Sequence, residues 1–291
     1  MGKPSLLFLP PRSAHHTRVK YGLAKLSTLL ACSVISVGAI ASSAPADGIQ
    51  FGKPSMLSQL VPASSIERQA NAEYEDLKRQ AAGKRALAPD NQPQVRRLRA
   101  IAARMTPLAS RYNPRAAQWR WKVNLIGAKQ VNAFCMPGGK IVFFSGLLED
   151  LRLTDNEVAI VMGHEIAHAL REHARERMAK SGLTNLGADL LGQFVAQGKY
   201  ASAFHFGGNL LNLRFSRGDE SEADLVGLDL AARAGFDPRA GITLWKKMTS
   251  ANPAAPPQWL STHPSGPNRI REIEQHLPQV MPLYEKAATR Y

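Results

Sequence analysis

Apolar and polar residues change their period several times along the chain, and each change predicts an element. A helix opens near Ser64, where Ser64 and Glu67 have the spacing of a capping box, and runs to about Ala82. Residues 84–93 interrupt it. Val95, Leu98, Ile101 and Met105 then recur at helical spacing, and Pro107 kinks or ends that helix. The period next falls to two. Trp119, Trp121, Val123 and Leu125 alternate with Arg120, Lys122 and Asn124, the pattern of a half-buried strand. Residues 131–136 predict a second strand, which turns at Pro137-Gly138-Gly139 into a third over 140–145. Three short strands in succession predict a small antiparallel sheet.

The remainder reads as helix. Thr154 and Glu157 form another capping box, Asp155 suits the helix dipole, and the helix is expected to reach about Lys180 and stop near Gly182. Residues 183–213 are apolar and glycine-bearing, as in one or two buried helices. Further helices are expected over 219–234 and 238–250, then a Pro-rich loop over 251–267 and a short closing helix over 268–277. The expected class is α+β, mainly helical, with the sheet ahead of most of the helices.

The first 46 residues follow a different grammar. Lys3, Arg12, Arg18, Lys20 and Lys25 precede any acid, an apolar stretch follows, and Ala44-Pro45-Ala46 fits a cleavage signal before Asp47. Residues 1–46 are therefore read as a signal peptide or membrane anchor, with Cys32 in a lipobox-like setting as the minority reading. Residues 47–93 are a linker and an N-terminal helix, and residues 94–291 the main domain.

Composition narrows the chemistry. A 291-residue chain that is 44% hydrophobic and 21% charged is an ordinary globular protein, not a disordered, collagenous or polytopic membrane chain. Two cysteines, Cys32 and Cys135, exclude a disulfide scaffold and a thiolate zinc site. The formal charge of +14 invites a nucleic-acid reading, supported by the arginines at 96, 97, 99, 104, 111 and 115. No reader motif accompanies them, and five of the basic residues belong to the leader, so a solvated face or contact with anionic lipid is the preferred reading.

Within the helix that Thr154 opens, residues 164–168 read H-E-x-x-H. Four residues advance a helix by about 400°, so His164 and His168 point the same way and can grip one metal ion. Glu165 lies about 100° round, placed to reach a metal-bound water. Val158, Ile160, Val161, Ile166 and Leu170 surround these groups, and unpaired burial there would be costly. His173 falls about 140° off the ligand face of a continuous helix and is read as structural or supporting. Downstream, Glu220, Glu222 and Asp224 cluster on a second helix. Glu220 and Asp224 share a face, where Asp224 can fix the tautomer of a ligand imidazole, whereas Glu222 points about 200° away from Glu220 and reads as solvated.

Four blocks carry a family resemblance: Asn132-Ala133-Phe134 with Pro137-Gly138-Gly139 and Ser145-Gly146-Leu147; His164 to His168 with His173; Ser216-Arg217 with Glu220 to Asp224; and Thr262-His263-Pro264 with Arg269. Together, over about 94–277, they resemble the gluzincin metallopeptidases of the CAAX-prenyl-protease and HtpX type, nearest to soluble bacterial envelope members. The resemblance implies a zincin-type fold with one zinc ion per chain, held by His164, His168 and Glu220, and Glu165 as general base. It implies Asp224 as supporting carboxylate, a substrate-binding edge strand near Asn132 and Ala133, and His263 near the metal. There His263 would steady the oxyanion or close the open coordination position; the alternative is a loop histidine capping local backbone. The implied substrates are unfolded or misassembled envelope proteins or peptides, in the periplasm. The membrane surface or outer-membrane assembly factors are further partners, and nucleic acid has no place. The competing class is a catalytically latent metal-binding chaperone or adaptor.

Overall fold

The computed structural model describes residues 47–186, 210, 213–250, 259–264 and 268–290. The leader, Cys32 and most of the apolar stretch 183–213 lie outside the described residues, as does most of the loop 251–267.

The class is α+β and mainly helical. The helices are α1 (Ala63–Gly83), α2 (Pro93–Met105), α3 (Ser145–Asp150), α4 (Asp155–Leu170) and α5 (His173–Leu186), then α6 (Arg217–Arg233), α7 (Ala240–Ser250), α8 (Trp259–Thr262) and α9 (Arg269–Ala288). The strands are β1 (Lys122–Ile126), β2 (Ala133–Met136) and β3 (Lys140–Phe144).

The sheet is mixed, not wholly antiparallel. Its order is β1-β3-β2; β2 pairs antiparallel with β3, and β3 runs parallel to β1. The chain leaves β1, crosses to the far edge, and returns through Gly138 and Gly139, both at positive φ, into the central strand. All five residues of β3 are buried, which is why it takes the middle. Alternation in three successive strands does not encode their lateral order, so the sequence reads as a meander.

Three helix boundaries also depart from expectation. Ser64 and Glu67 form no capping box: α1 starts at Ala63, and Glu67 instead accepts from Arg115 Nη2 at 2.8 Å and Trp119 Nε1 at 3.1 Å. The closing helix runs through Pro278 and Pro282 to Ala288. Each internal proline costs about 3 kcal/mol. The apolar stripe Ile273, Leu277, Val280, Tyr284 keeps its spacing across both and packs on the core, which offsets that cost.

The third departure matters most. The helix expected to reach Lys180 breaks after Leu170, and Glu172 takes a left-handed φ of +59° before α5 begins. A non-glycine residue there costs about 1–2 kcal/mol. The capping box of α4 forms as expected, with Thr154 Oγ1 accepting from the Glu157 amide at 3.3 Å and Glu157 Oε2 from the Thr154 amide at 2.8 Å.

Residues 47–62 are not a free linker. Ile49 and Val61 are buried, and residues 56–60 form a 3-10 turn against α5. Five of the six arginines of the basic stretch are engaged within the chain, several of them at its surface. Arg97 pairs with Asp155, Arg99 with Asp90, Arg111 with Asp47 and Arg115 with Glu67, while Arg104 donates to the carbonyls of Ala234 and Gly235. Among the described residues no helix is long and apolar enough to cross a membrane.

Candidate metal centre

α4 and α6 cross at Gly163 and Gly227 so closely that a Cβ on Gly163 would lie 2.6 Å from the Gly227 carbonyl oxygen. That approach brings the His164–His168 face of α4 against the Glu220–Asp224 face of α6. The segment 259–264 closes the space from above, and Arg269, at the start of α9, supports it from the side.

Four groups converge there. One ligand atom each from His164, His168, Glu220 and His263 lies within 4.8 Å of the others, and all four residues are buried. His164 Nε2 and His168 Nε2 are 3.0 Å apart, and Glu220 oxygens lie 3.6 Å and 3.5 Å from them. Ligand atoms bound at about 2.0–2.2 Å in a tetrahedral zinc site lie about 3.3–3.6 Å from one another; the two Glu220 spacings match that, and the two imidazole nitrogens sit closer together, at 3.0 Å.

The hydrogen-bond network makes the same point chemically. His164 Nδ1 donates to Asp224 Oδ1 at 3.0 Å. His173 Nε2 faces Glu222 Oε2 at 2.9 Å and so carries its proton there. Its Nδ1 is then the acceptor for His168 Nδ1–H, at 2.9 Å. With the tautomers assigned from these contacts, both Nε2 atoms keep lone pairs aimed at one point beside a carboxylate, an arrangement suited to a cation.

Electrostatics keep the protonation states suited to that. Burial, reinforced by the imidazoles of His164, His263 and His173, outweighs the nearby Glu220 carboxylate and holds His168 well below the ordinary histidine range. Burial alone would raise Glu220, but the close imidazoles of His168, His263 and His164 hold it below the carboxylate range. Asp224 is also lowered: burial opposes this, and the Arg269 charge overcomes it. Arg269 donates to Asp224 Oδ2 at 2.5 Å, Asp224 Oδ1 at 2.6 Å and Glu220 Oε2 at 2.7 Å. Its guanidinium lies 3.8 Å from the Trp245 ring centroid. Burial would lower His263, but the charges of Glu165 and Glu220 push it up.

Each residue singled out in the sequence has a definite place. Glu165 is buried beside the cluster, its Oε1 accepting from Trp259 Nε1 at 2.6 Å and lying 3.6 Å from His263 Nε2. His263 Nδ1 is 3.0 Å from Glu220 Oε1 and 3.3 Å from His164 Nε2. Asn132 and Ala133 line a cavity of about 50 Å³ together with Glu165, His168, Phe215 and His263. Ala133 belongs to the outer strand β2; its amide is bonded by Asn132 Oδ1, and the preceding Val131 carbonyl accepts from the Trp259 amide at 3.0 Å.

Glu222 corrects the solvated reading: it is half-buried, binding His173 on one oxygen and Arg171 Nη2 at 2.7 Å on the other. His173 has the supporting place expected of it, outside the ligand cluster and against the outer nitrogen of His168, although the break at Glu172 rather than a continuous helix puts it there. Trp259, Arg269's link to both acids, and Phe215, stacked on His168 at 3.9 Å, were not singled out as site residues. The rare buried Arg beside two tryptophans was the available clue to the second of these.

Comparison with known proteins gives the same direction. The sequence profile of Peptidase family M48 matches residues 93–277. The chain is 41% identical over 155 residues to the mitochondrial metalloendopeptidase OMA1 of Arabidopsis thaliana, covering 53% of this chain and 31% of that protein. It is 29% identical over 197 residues to the metalloprotease LoiP of Escherichia coli, 67% of this chain and 75% of that one. It is 30% identical over 212 residues to the beta-barrel assembly-enhancing protease of Yersinia pestis, 65% and 43%. The chain thus spans about a third of the OMA1 relative's length. With the profile covering the sheet, both ligand-bearing helices and the segment that closes the cluster, this chain belongs to peptidase family M48.

Proposed function

We propose that the protein is a zinc-dependent endopeptidase that cleaves unfolded or misassembled proteins of the bacterial envelope, acting in the periplasm. The observation that carries this reading is the convergence of two imidazole lone pairs and one carboxylate beside a buried, separate glutamate. His164, His168 and Glu220 would hold the ion, which when bound acidifies water and polarises a carbonyl. Glu165 takes the proton from the attacking water and returns it to the leaving amine. Asp224 and Arg269 keep His164 and Glu220 aimed. The outer edge of β2 near Asn132 and Ala133 would receive an extended substrate segment through backbone hydrogen bonds, which tolerate many sequences. The names of the relatives, a metalloprotease and an assembly-enhancing protease among them, support the class and the compartment.

A second reading has its own support. Trp259 occupies Glu165, and His263 stands beside the ligand atoms, so the described arrangement is a closed one, as in a latent metal-binding chaperone or adaptor. The test is cleavage of casein with and without a chelator. Glu165→Gln is expected to retain metal while activity falls by about a thousandfold or more; full activity in that variant, or metal retention with no activity in wild type, rejects the enzyme reading. Glu220→Ala is expected to lose metal where Glu222→Ala keeps most of it, and the reverse would move the third ligand to Glu222.

A further inference from the structure

The segment 47–61 precedes the region matched by the family profile, yet it is tied to the metal centre at two levels. Its start is anchored on α6. The Asp47 carboxylate lies between Arg111 and Arg233, and the Ile49 amide donates at 2.9 Å to Asp229 Oδ2. Asp229 is fully buried and also receives Arg233 Nε and the Tyr112 hydroxyl. Between these anchors Gly48 sits at φ +81°, and a Cβ there would lie 2.1 Å from Asp229 Oδ2.

Further along, the segment grips the joint between α4 and α5. The Gly52 carbonyl accepts from Arg171 Nη2 at 2.7 Å, and the Ser58 hydroxyl is shared between the Ser55 carbonyl at 2.7 Å and Glu172 Oε2 at 3.2 Å. The Val61 carbonyl accepts from Arg175 Nε at 2.9 Å and Nη2 at 2.7 Å. These are the residues on either side of, and at, the left-handed Glu172. That conformation turns His173 back onto His168. From Gly52 a continuous chain of contacts runs through Arg171, Glu222 and His173 to the outer nitrogen of His168.

We propose that the segment 47–61 is a positioning strap for the metal centre: by holding the α4–α5 joint open at Glu172 it keeps His173 on His168 and so fixes the tautomer and aim of that imidazole. Without it, α4 is free to continue as a regular helix. His173 would then swing about 140° away and leave a buried imidazole nitrogen unpaired. The strap inference rests on the reading of His168 as a metal ligand.

The test uses the full chain in four variants: Gly48→Val, which cannot seat the strap's start; Ser58→Ala with Arg175→Gln, which removes the strap's bonds to Glu172 and α5 while leaving the anchor and the Gly52–Arg171 bond; His173→Phe; and Gly48→Val with His173→Phe. Arg79→Ala, on the exposed face of α1, is the control. The readouts are metal affinity by competition with a chromogenic chelator, the visible spectrum of the cobalt(II)-loaded protein, and exchange of the Ile49 amide. Gly48→Val and His173→Phe are each expected to weaken metal binding about 10- to 100-fold and to shift the cobalt spectrum in the same direction, with far-UV circular dichroism unchanged. The joint variant shows the same shift, smaller. The combined variant should lose no more than His173→Phe alone, because both act through one chain of contacts.

If Gly48→Val does not fold, the joint variant decides the matter by itself. Fast exchange at Ile49 with a wild-type cobalt spectrum and affinity would overturn the proposal, as would fully additive losses. His168→Ala separates the two levels: unchanged metal binding there rejects the site reading itself, whereas lost binding there with silent strap variants rejects the strap alone.

Discussion

The outer nitrogen of His164 meets Asp224, whose side chain is 4% exposed and whose two oxygens are both held by the buried Arg269. The outer nitrogen of His168, one turn along the same helix, meets another imidazole, His173, backed by Glu222, which is 33% exposed, and by Arg171. The first support is a buried ion pair between regular helices. The second is an imidazole beyond a helix break, leaning on a partly exposed carboxylate. Two identical side chains with one presumed task are therefore held with different stiffness. Cutting the first support removes an acid that no water can replace, whereas the partly exposed site of the second lets water take over part of the role of Glu222.

Asp224→Asn is expected to have the largest effect. It leaves Arg269 with Glu220 as its one acidic partner and removes the charged acceptor of His164, so metal affinity should fall by about 100-fold or more and the melting temperature should fall with it. Chelator competition and thermal unfolding read both. Glu222→Gln keeps a hydrogen-bond acceptor for His173 and should cost about tenfold in affinity with little change in melting temperature. Equal losses in the two variants would break the comparison. The smallest effect is expected at the strap's anchor. Hydrogen bonds from Arg233 and then Arg111 hold Asp47 below its ordinary pKa. The anchor is therefore fully formed above about pH 4 and is lost as pH falls through the lower folded value. Its contribution should fade with salt as well, because the pairs are exposed. In Asp47→Asn, Ile49 should exchange a few-fold faster at low salt and lose its salt dependence. A wild-type Ile49 amide indifferent to salt would show that the anchor is not ionic.

The same contrast runs through what the sequence discloses. The His164 side was legible because it is built from regular helices. A capping box fixes where α4 starts, helical spacing fixes which side chains share a face, and Asp224 follows from its phase relative to Glu220. The His168 side was not. Nothing in Arg171-Glu172-His173 is a glycine or proline, so the left-handed residue has no local signal and is imposed by tertiary contacts with a segment that reads as linker. Once the helix breaks, the angular argument for His173 no longer applies, and Glu222, which does point away from Glu220 on a regular helix, meets Arg171 and His173 there instead of solvent. The sheet order and the arrival of Trp259 over Glu165 are also long-range facts. Local period reports which residues are buried, not what they are buried against.

The crossing of α4 and α6 has one more consequence. Gly163 immediately precedes His164, and a Cβ on Gly227 would lie 2.6 Å from both the Gly163 carbonyl carbon and the His164 amide nitrogen. The two missing side chains therefore act as a gauge. They set the gap between the helix that supplies nitrogen and the helix that supplies oxygen, before any ligand rotamer is chosen. A methyl group at either glycine would push the two helices apart, lengthening the reach from Glu220 to both imidazoles while leaving the spacing of His164 and His168 along α4 unchanged.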